Sequence, residues 1–122
     1  MRGFKIAFGI GVVLLVSSTM SSLAWGQVLM PLSGTQGAES INGGVNHYHQ
    51  RNWNSAVSQF QQALKKNPNS AVAHYNLGLT LRQMGQQDKA VQHFRKASQF
   101  GRSNLFIRNS SEVKKSLEQK MR

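Results

Sequence analysis

The feature that most constrains the fold of this chain is an internal duplication with a period of about 34 residues. Sliding the sequence against itself by that period aligns six pairs of identical residues: Asn42 with Asn76, Gly44 with Gly78, Ala56 with Ala90, Val57 with Val91, Phe60 with Phe94 and Ala63 with Ala97. A fixed period of about 20 to 50 residues is typical of repeat proteins, in which small structural units stack against their neighbours. The duplication therefore predicts two copies of one unit, over residues 37–70 and 71–104.

Each unit has the sequence pattern of a helix hairpin. In the second unit, the run from Ala71 to Leu81 is followed by Gly85, which breaks the first helix as a C-terminal cap would. Asp88 then opens a second helix, whose small and apolar residues fall three or four apart on one face: Ala90, Val91, Phe94 and Ala97. In the first unit, Asn54 is the predicted N-cap of the second helix and Asn67-Pro68 its predicted end. These patterns predict an all-α fold.

The two units resemble the tetratricopeptide repeat, whose period is also about 34 residues and whose pattern is W-x2-L-G-x2-Y, then A-x3-F, then P. The second copy matches it at Tyr75, Asn76, Leu77, Gly78, Gly85, Ala90, Phe94 and Ala97. This copy has His74, Leu81 and Arg102 where the family often has Trp, Tyr and Pro. The first copy matches at Gly44, Trp53, Ala56, Phe60, Ala63, Leu64 and Pro68, but has the smaller Ser40, Gly43 and His47 in place of Trp, Leu and Tyr. The resemblance implies a helix-hairpin solenoid of two repeats over residues 37–104.

Residue size within the repeat follows from helix packing. Glycine and alanine stand where two helices must touch closely, and Phe60 and Phe94 are large because they fill the gap to the neighbouring helix. Gly43-Gly44 lies inside the first helix, where each glycine costs about 1 kcal/mol relative to alanine. Residues 38 to 50 are therefore predicted to form the least stable helix.

Residues 105–122 are predicted to form a C-terminal capping helix. Leu105 to Ile107 is an apolar patch, and Ser110 or Ser111 can cap a helix with one apolar stripe made of Val113, Leu117 and Met121. The other faces of this helix are polar, as a terminal cap on the second repeat requires. This helix brings the predicted total to five. Because such arrays usually need at least about three repeats, self-association or a partner is expected to supply a further neighbour.

The N-terminus has the layout of a secretory signal peptide. Arg2 and Lys5 precede an apolar run from Ile6 to Val16, and small residues follow up to Ala24. That run is 11 residues long, whereas a membrane-spanning helix needs about 20. We predict a signal peptide over residues 1–24, a flexible leader over 25–36, and a periplasmic or secreted protein without a stable membrane span. An uncleaved signal that anchors the protein in the membrane is the alternative.

The chain is strongly basic, with 15 Lys and Arg residues against 4 Asp and Glu residues and no cysteine. The missing cysteine excludes disulfides and thiolate metal sites. A positive field attracts acidic partners without selecting one. The basic residues that would form a polyanion-binding surface are Lys65, Lys66, Arg95, Lys96, Arg102, Arg108, Lys114 and Lys115. Nucleic acid is not a predicted ligand, because base-stacking aromatic residues are not interleaved with these charges.

The family resemblance also implies a ligand-binding groove lined by the first helix of each unit. The residues implied are Ile41, Asn42, Val45, Tyr48 and His49 in the first unit, and Val72, Tyr75, Asn76, Leu79, Arg82 and Gln83 in the second. In such a groove the asparagines would bond a ligand backbone, the tyrosines would give rigid contact area, and Arg82 would pair with a carboxylate. The family's clamp for a C-terminal carboxylate uses several basic groove residues, whereas this chain offers mainly Arg82.

The sequence contains no pattern that predicts a cofactor, a metal site or catalysis. His47 and His49 are two residues apart on a helix and point roughly 200° away from each other, so both cannot easily bind one metal ion. His74 and His93 do not change that interpretation, and the four acidic residues Glu39, Asp88, Glu112 and Glu118 are scattered.

Three hypotheses for function follow. The first is an exported, non-enzymatic adaptor that binds a peptide or helix of a protein partner in its groove. The second is a basic cell-envelope protein that binds polyanions. The third is a structural protein that self-assembles through its open repeat ends.

Overall fold

A computed structural model describes residues 34–121 of the chain. The predicted signal peptide, and all of the predicted leader before residue 34, lie outside the described residues. Within them the structure has six helices and no strand: α1 (Ala38–His49), α2 (Trp53–Lys66), α3 (Ala71–Gln83), α4 (Gln87–Phe100), α5 (Leu105–Asn109) and α6 (Ser111–Met121). The all-α class is confirmed. α1 packs on α2 and α3 on α4 as two hairpins, and the packing of α2 against α3 stacks one hairpin on the other.

The same glycine and phenylalanine contact sets the approach of the two helices in both hairpins. A Cβ atom added to Gly44 would lie 2.5 Å from the Phe60 ring, and one added to Gly78 would lie 2.7 Å from the Phe94 ring. Both rings are buried, with 0% and 2% of their surface exposed. The two sites are one repeat period apart, so the duplication seen in the sequence is also a duplication of packing.

The hairpin turns also repeat. After α3, the amide of Gln86 donates to the carbonyl of Leu81 over 2.9 Å, and Gly85 has a left-handed φ of 76°. After α1, the amide of Asn52 donates to the carbonyl of His47 over 2.9 Å, and the left-handed position, with a φ of 61°, is taken by Arg51. This bonding closes a helix C-terminus and normally places glycine at that position. The first turn therefore holds a side chain where the second has none.

One predicted helix end needs correction, and one cap was not predicted. α2 begins at Trp53 with Asn52 as its N-cap, so the predicted N-cap Asn54 lies inside the first turn. α3 is capped at Ser70, whose hydroxyl accepts from the Ala73 amide over 3.3 Å.

The prediction of five helices is wrong, because the segment after α4 forms two helices instead of one. Asn104 caps α5 by accepting from the amides of Phe106 and Ile107, and it stands one repeat period after the cap Ser70. Ser110 is extended, with φ −63° and ψ 142°, which ends α5 and turns the chain into α6. The Ser110 hydroxyl then accepts from the Val113 amide over 3.3 Å and caps α6.

The two C-terminal helices complete one continuous core. Ile107 and Val113 are buried together with the side chains of the repeats, and the cluster extends back to Ile41 in α1. α6 packs mainly on α4, and α5 touches both α3 and α4. Of the predicted stripe on the last helix only Val113 is buried, since Leu117 is 42% and Met121 84% exposed.

Candidate functional site

Five of the predicted groove residues are covered in the structure. The side chains of Ile41, Val45, Tyr75, Asn76 and Leu79 belong to the interior, each with at most 4% of its surface exposed. The prediction that they line an open groove does not hold for this conformation. On the second repeat the physical reason is that the face of α3 is not free: the chain's own C-terminal segment lies against it.

Tyr75 shows how that segment covers α3. Its ring contacts Phe94 at a centroid distance of 5.8 Å and, edge to face, Phe106 of α5 at 6.0 Å. Its hydroxyl forms a hydrogen bond with the side chain of Ser110 at the start of α6. Burial, helped by the nearby Glu112 carboxylate, raises the pKa of Tyr75 to about 12. Tyr75 is thus a neutral packing residue that joins the second repeat to the C-terminal helices.

Arg82 already has a carboxylate partner. Its Nη1 atom lies 3.0 Å from Oε1 of Glu112, with 30% of the Arg82 side chain and 12% of the Glu112 side chain exposed. Burial acts to raise the pKa of Glu112, but hydrogen bonds from its own backbone amide, Arg82 and Ser111 outweigh burial and lower it. The carboxylate partner predicted for Arg82 on a ligand is instead Glu112 of α6.

Of the remaining predicted groove residues, Val72 is half-buried. The other five lie near the C-terminal ends of α1 and α3, except Asn42, which lies earlier in α1. We call these five residues the open rim: Asn42, His49 and Gln83, which are exposed, and Tyr48 and Arg82, which are half-buried. Tyr48 forms a side-chain hydrogen bond with Gln83 across the two helices, and its ring packs edge to face on Trp53 at 5.2 Å. Burial raises the pKa of the Tyr48 hydroxyl, so it stays protonated at neutral pH.

A pair of histidines between α3 and α4 was not anticipated. The Nδ1 atoms of His74 and His93 are 3.0 Å apart, and His74 Nε2 is 2.9 Å from the Pro68 carbonyl. Since that carbonyl can only accept, neutral His74 carries its proton on Nε2, and His93 donates from Nδ1 to Nδ1 of His74. Burial lowers the pKa of both rings, and the neighbouring His74 helps to bring the pKa of His93 to about 4. The sequence feature that could have indicated this pair is the presence of one histidine on each helix of the second hairpin, His74 on α3 and His93 on α4.

The chemistry of these groups is suited to binding. The open rim offers two amides, a guanidinium, an imidazole and the phenol of Tyr48, which donate, accept and stack. Among residues 34–121 there is no group of three or more His, Cys, Asp or Glu side chains that could hold a metal ion. None of the helices in that range is both long and apolar enough to cross a membrane.

Comparison with known protein families identifies the repeated region. Two family models, both described as tetratricopeptide repeat, match residues 59–92 and residues 43–70. The first match covers the end of α2, all of α3 and the start of α4, and the second covers the end of α1 and all of α2. Searches among curated proteins and among solved structures found no match.

Proposed function

We propose that this chain is an exported adaptor that binds a peptide or helix of a partner protein, because tetratricopeptide repeat models match residues 43–92. Repeats of this family generally mediate interactions between proteins, and proteins of this family are typically scaffolds without catalytic activity. The observation that supports a binding role here is the open rim. It joins the two repeats across the ends of α1 and α3 and keeps polar groups accessible next to partly buried aromatic rings.

The state of the rim residues restricts how a partner is held. Arg82 is neutralised by Glu112, so a partner carboxylate gains little from it unless Glu112 is displaced. The exposed side chains of Asn42, His49 and Gln83 are open to hydrogen bonds with a partner backbone. Tyr48 is fixed between Gln83 and Trp53, and a rigid aromatic ring of this kind gives contact area at little entropic cost. The partner segment is therefore expected to bind by backbone hydrogen bonds and apolar contact.

Site-specific cross-linking tests the rim. A photoreactive amino acid at His49 or Gln83, both exposed, should form an adduct with a partner in the cell envelope. The same group at Ser58 or Gln61, which are exposed on α2, is the matched control. Adducts from α2 without any from the rim would contradict the proposal. Tyr75 is unsuitable as a probe because its replacement would remove a side chain that is only 1% exposed.

Export is supported by the order of basic, apolar and small residues over positions 1–24. Expression of the full chain followed by N-terminal sequencing should give a mature protein that begins at Trp25. Retention of Met1 in the membrane fraction would support the anchored alternative. Retention of Met1 in the soluble cytoplasmic fraction would refute export.

Self-association is a second candidate function, favoured by an apolar surface on α5. Leu105 is 60% and Phe106 45% exposed, although each is a large apolar side chain. Light scattering of the purified protein over a range of concentrations should then show a dimer or larger species. Leu105→Lys should return it to a monomer, and a monomer at every concentration would exclude this candidate.

A further inference from the structure

A cleft of about 320 Å³ lies between the second half of α4 and the two C-terminal helices. Its lining residues are Arg95, Ser98, Gln99, Arg102, Arg108 and Leu117. None of them belongs to α1, α2 or α3, so the cleft is separate from the open rim. Three arginines from three places in the chain, namely α4, the α4–α5 connection and α5, thus face one space without an acidic residue among the lining.

The guanidinium of Arg95 is held in place by the protein. Its Nε atom donates to the carbonyl of Ser116 over 3.1 Å, and the Arg95 side chain is half-buried. An arginine side chain has five N–H groups, so this bond fixes the group while using one of them. Within residues 34–121 no other group accepts a hydrogen bond from Arg95, which leaves its terminal nitrogens available to a ligand.

Arg102 and Arg108 bring two more charges that no carboxylate of residues 34–121 neutralises. Across the described part of the chain the structure contains one ion pair, Arg82 with Glu112, and neither of these arginines takes part in it. Arg102 follows Gly101, a buried residue where an added Cβ would lie 2.7 Å from the Ala97 carbonyl oxygen. Arg108 lies on α5, whose start is fixed by the Asn104 cap. Their backbones are therefore positioned, although their side chains are exposed.

We propose that this cleft binds a phosphate group, carried by a small ligand or by a lipid headgroup. Three guanidinium groups offer more donors than the two oxygens of one carboxylate accept, whereas a phosphate has more oxygens and a higher charge. The Ser98 hydroxyl and Gln99 amide add neutral partners, and Leu117 gives an apolar wall for the part of the ligand next to the phosphate. The volume falls at the lower end of the range of about 300 to 1,000 Å³ usual for small-molecule sites. The lining has no aromatic ring on which a nucleic acid base could stack.

Calorimetric titration with inorganic pyrophosphate tests the site, using the intact protein and two variants of equal charge. Arg102→Gln/Arg108→Gln removes two charges from the cleft, and Lys65→Gln/Lys66→Gln removes two exposed charges from α2. The unchanged protein and the α2 variant should bind alike, and the cleft variant should bind about tenfold or more weakly, the effect of losing one charge-assisted contact. Arg95 is left unchanged because its bond to Ser116 also holds α6.

A second arm distinguishes the two sources of phosphate. Sedimentation with vesicles of phosphatidylcholine alone is compared with vesicles that also contain phosphatidylglycerol. Cosedimentation only with the anionic vesicles, lost in the cleft variant and reversed by pyrophosphate, would identify a lipid headgroup. Pyrophosphate binding without cosedimentation would identify a small ligand. Equal binding by the cleft and α2 variants, or no saturable binding of either probe, would overturn the proposal whatever the outcome at the open rim.

Discussion

Replacing each of two adjacent glycines by alanine separates helix propensity from packing. Gly43 and Gly44 both lie inside α1, so both substitutions gain the same intrinsic term of about 1 kcal/mol. A Cβ atom at Gly43 would lie 3.1 Å from Oε1 of Gln59, the end of a flexible, partly exposed side chain that can turn away. Gly43→Ala is therefore expected to raise the free energy of unfolding by about 0.5 to 1 kcal/mol.

Gly44→Ala is expected to have the opposite sign. Its Cβ atom would lie 2.5, 2.7 and 2.8 Å from three carbons of the Phe60 ring. Carbon atoms in contact are normally about 3.5 Å or more apart, so the ring or the helix must move by about 1 Å. Phe60 is 0% exposed and has no open side to move into, which places the overpacking cost near the upper end of about 1 to 3 kcal/mol. After subtraction of the propensity gain, a net loss of about 2 kcal/mol remains.

Urea unfolding followed by circular dichroism measures both variants in the same protein. The expected gap between them is about 2.5 to 3 kcal/mol, which corresponds to at least about 10 °C in melting temperature for a domain of this size. Phe60→Leu should reduce the cost of Gly44→Ala, because the smaller side chain gives the new methyl group room. Equal stability of the two alanine variants would refute the packing argument.

Three further results are expected from the same unfolding assay. Arg51→Gly should stabilise the protein by about 0.5 to 1 kcal/mol, because Arg51 has a left-handed φ that glycine adopts without strain. Gly85→Ala, at the equivalent turn of the second hairpin, should destabilise it. A loss of stability in Arg51→Gly would contradict this explanation. The pKa values of His74 and His93 are lowered on folding, so the unfolded chain binds more protons, and stability should be complete above about pH 6.5 and decline as the pH falls towards 4. His93→Leu should remove about 1 kcal/mol of that decline, a value reduced for the partly exposed ring. Glu112→Gln should cost about 1 kcal/mol at neutral pH, where exposed Glu118→Gln should cost little. Because the pKa of Glu112 is lowered on folding, its contribution is present above about pH 4.5 and is lost as the pH falls through its folded value. A Glu112→Gln effect that does not decrease as the pH is lowered from 4.5 would exclude the ion pair as its cause.

The repeats were predictable because each local signal agreed with the long-range pattern. The period, the small residues at Gly44 and Gly78 and the large ones at Phe60 and Phe94 all indicated the same hairpin, and the structure places each ring on its glycine. The cap of the last helix was predictable as Ser110 or Ser111, but α5 was not, because the five residues Leu105–Asn109 are too few to show a helical period. The placement of α5 depends on contacts such as that of Phe106 with Tyr75, which only the folded chain brings together.

The open groove was the larger error, and on the second repeat its cause is the C-terminal segment. The first helix of a repeat can bind a ligand on one face only if no other element packs on that face. The residues around Tyr75 and Leu79 do not indicate whether the C-terminal segment packs there. Arg82 is an example: the sequence predicted that it pairs with a carboxylate, but it did not indicate whether that carboxylate belongs to a ligand or to Glu112. The cleft at Arg95 was hidden for the same reason, because its arginines are brought together by the turn of the chain at α5.

The caps at Ser70 and Asn104 are one repeat period apart, so α5 starts where the first helix of a third repeat would start. The bend at Ser110 ends that helix after five residues. α6 then packs mainly on α4, as α3 packs on α2, so the side of α4 on which a third repeat would stack is occupied by α6.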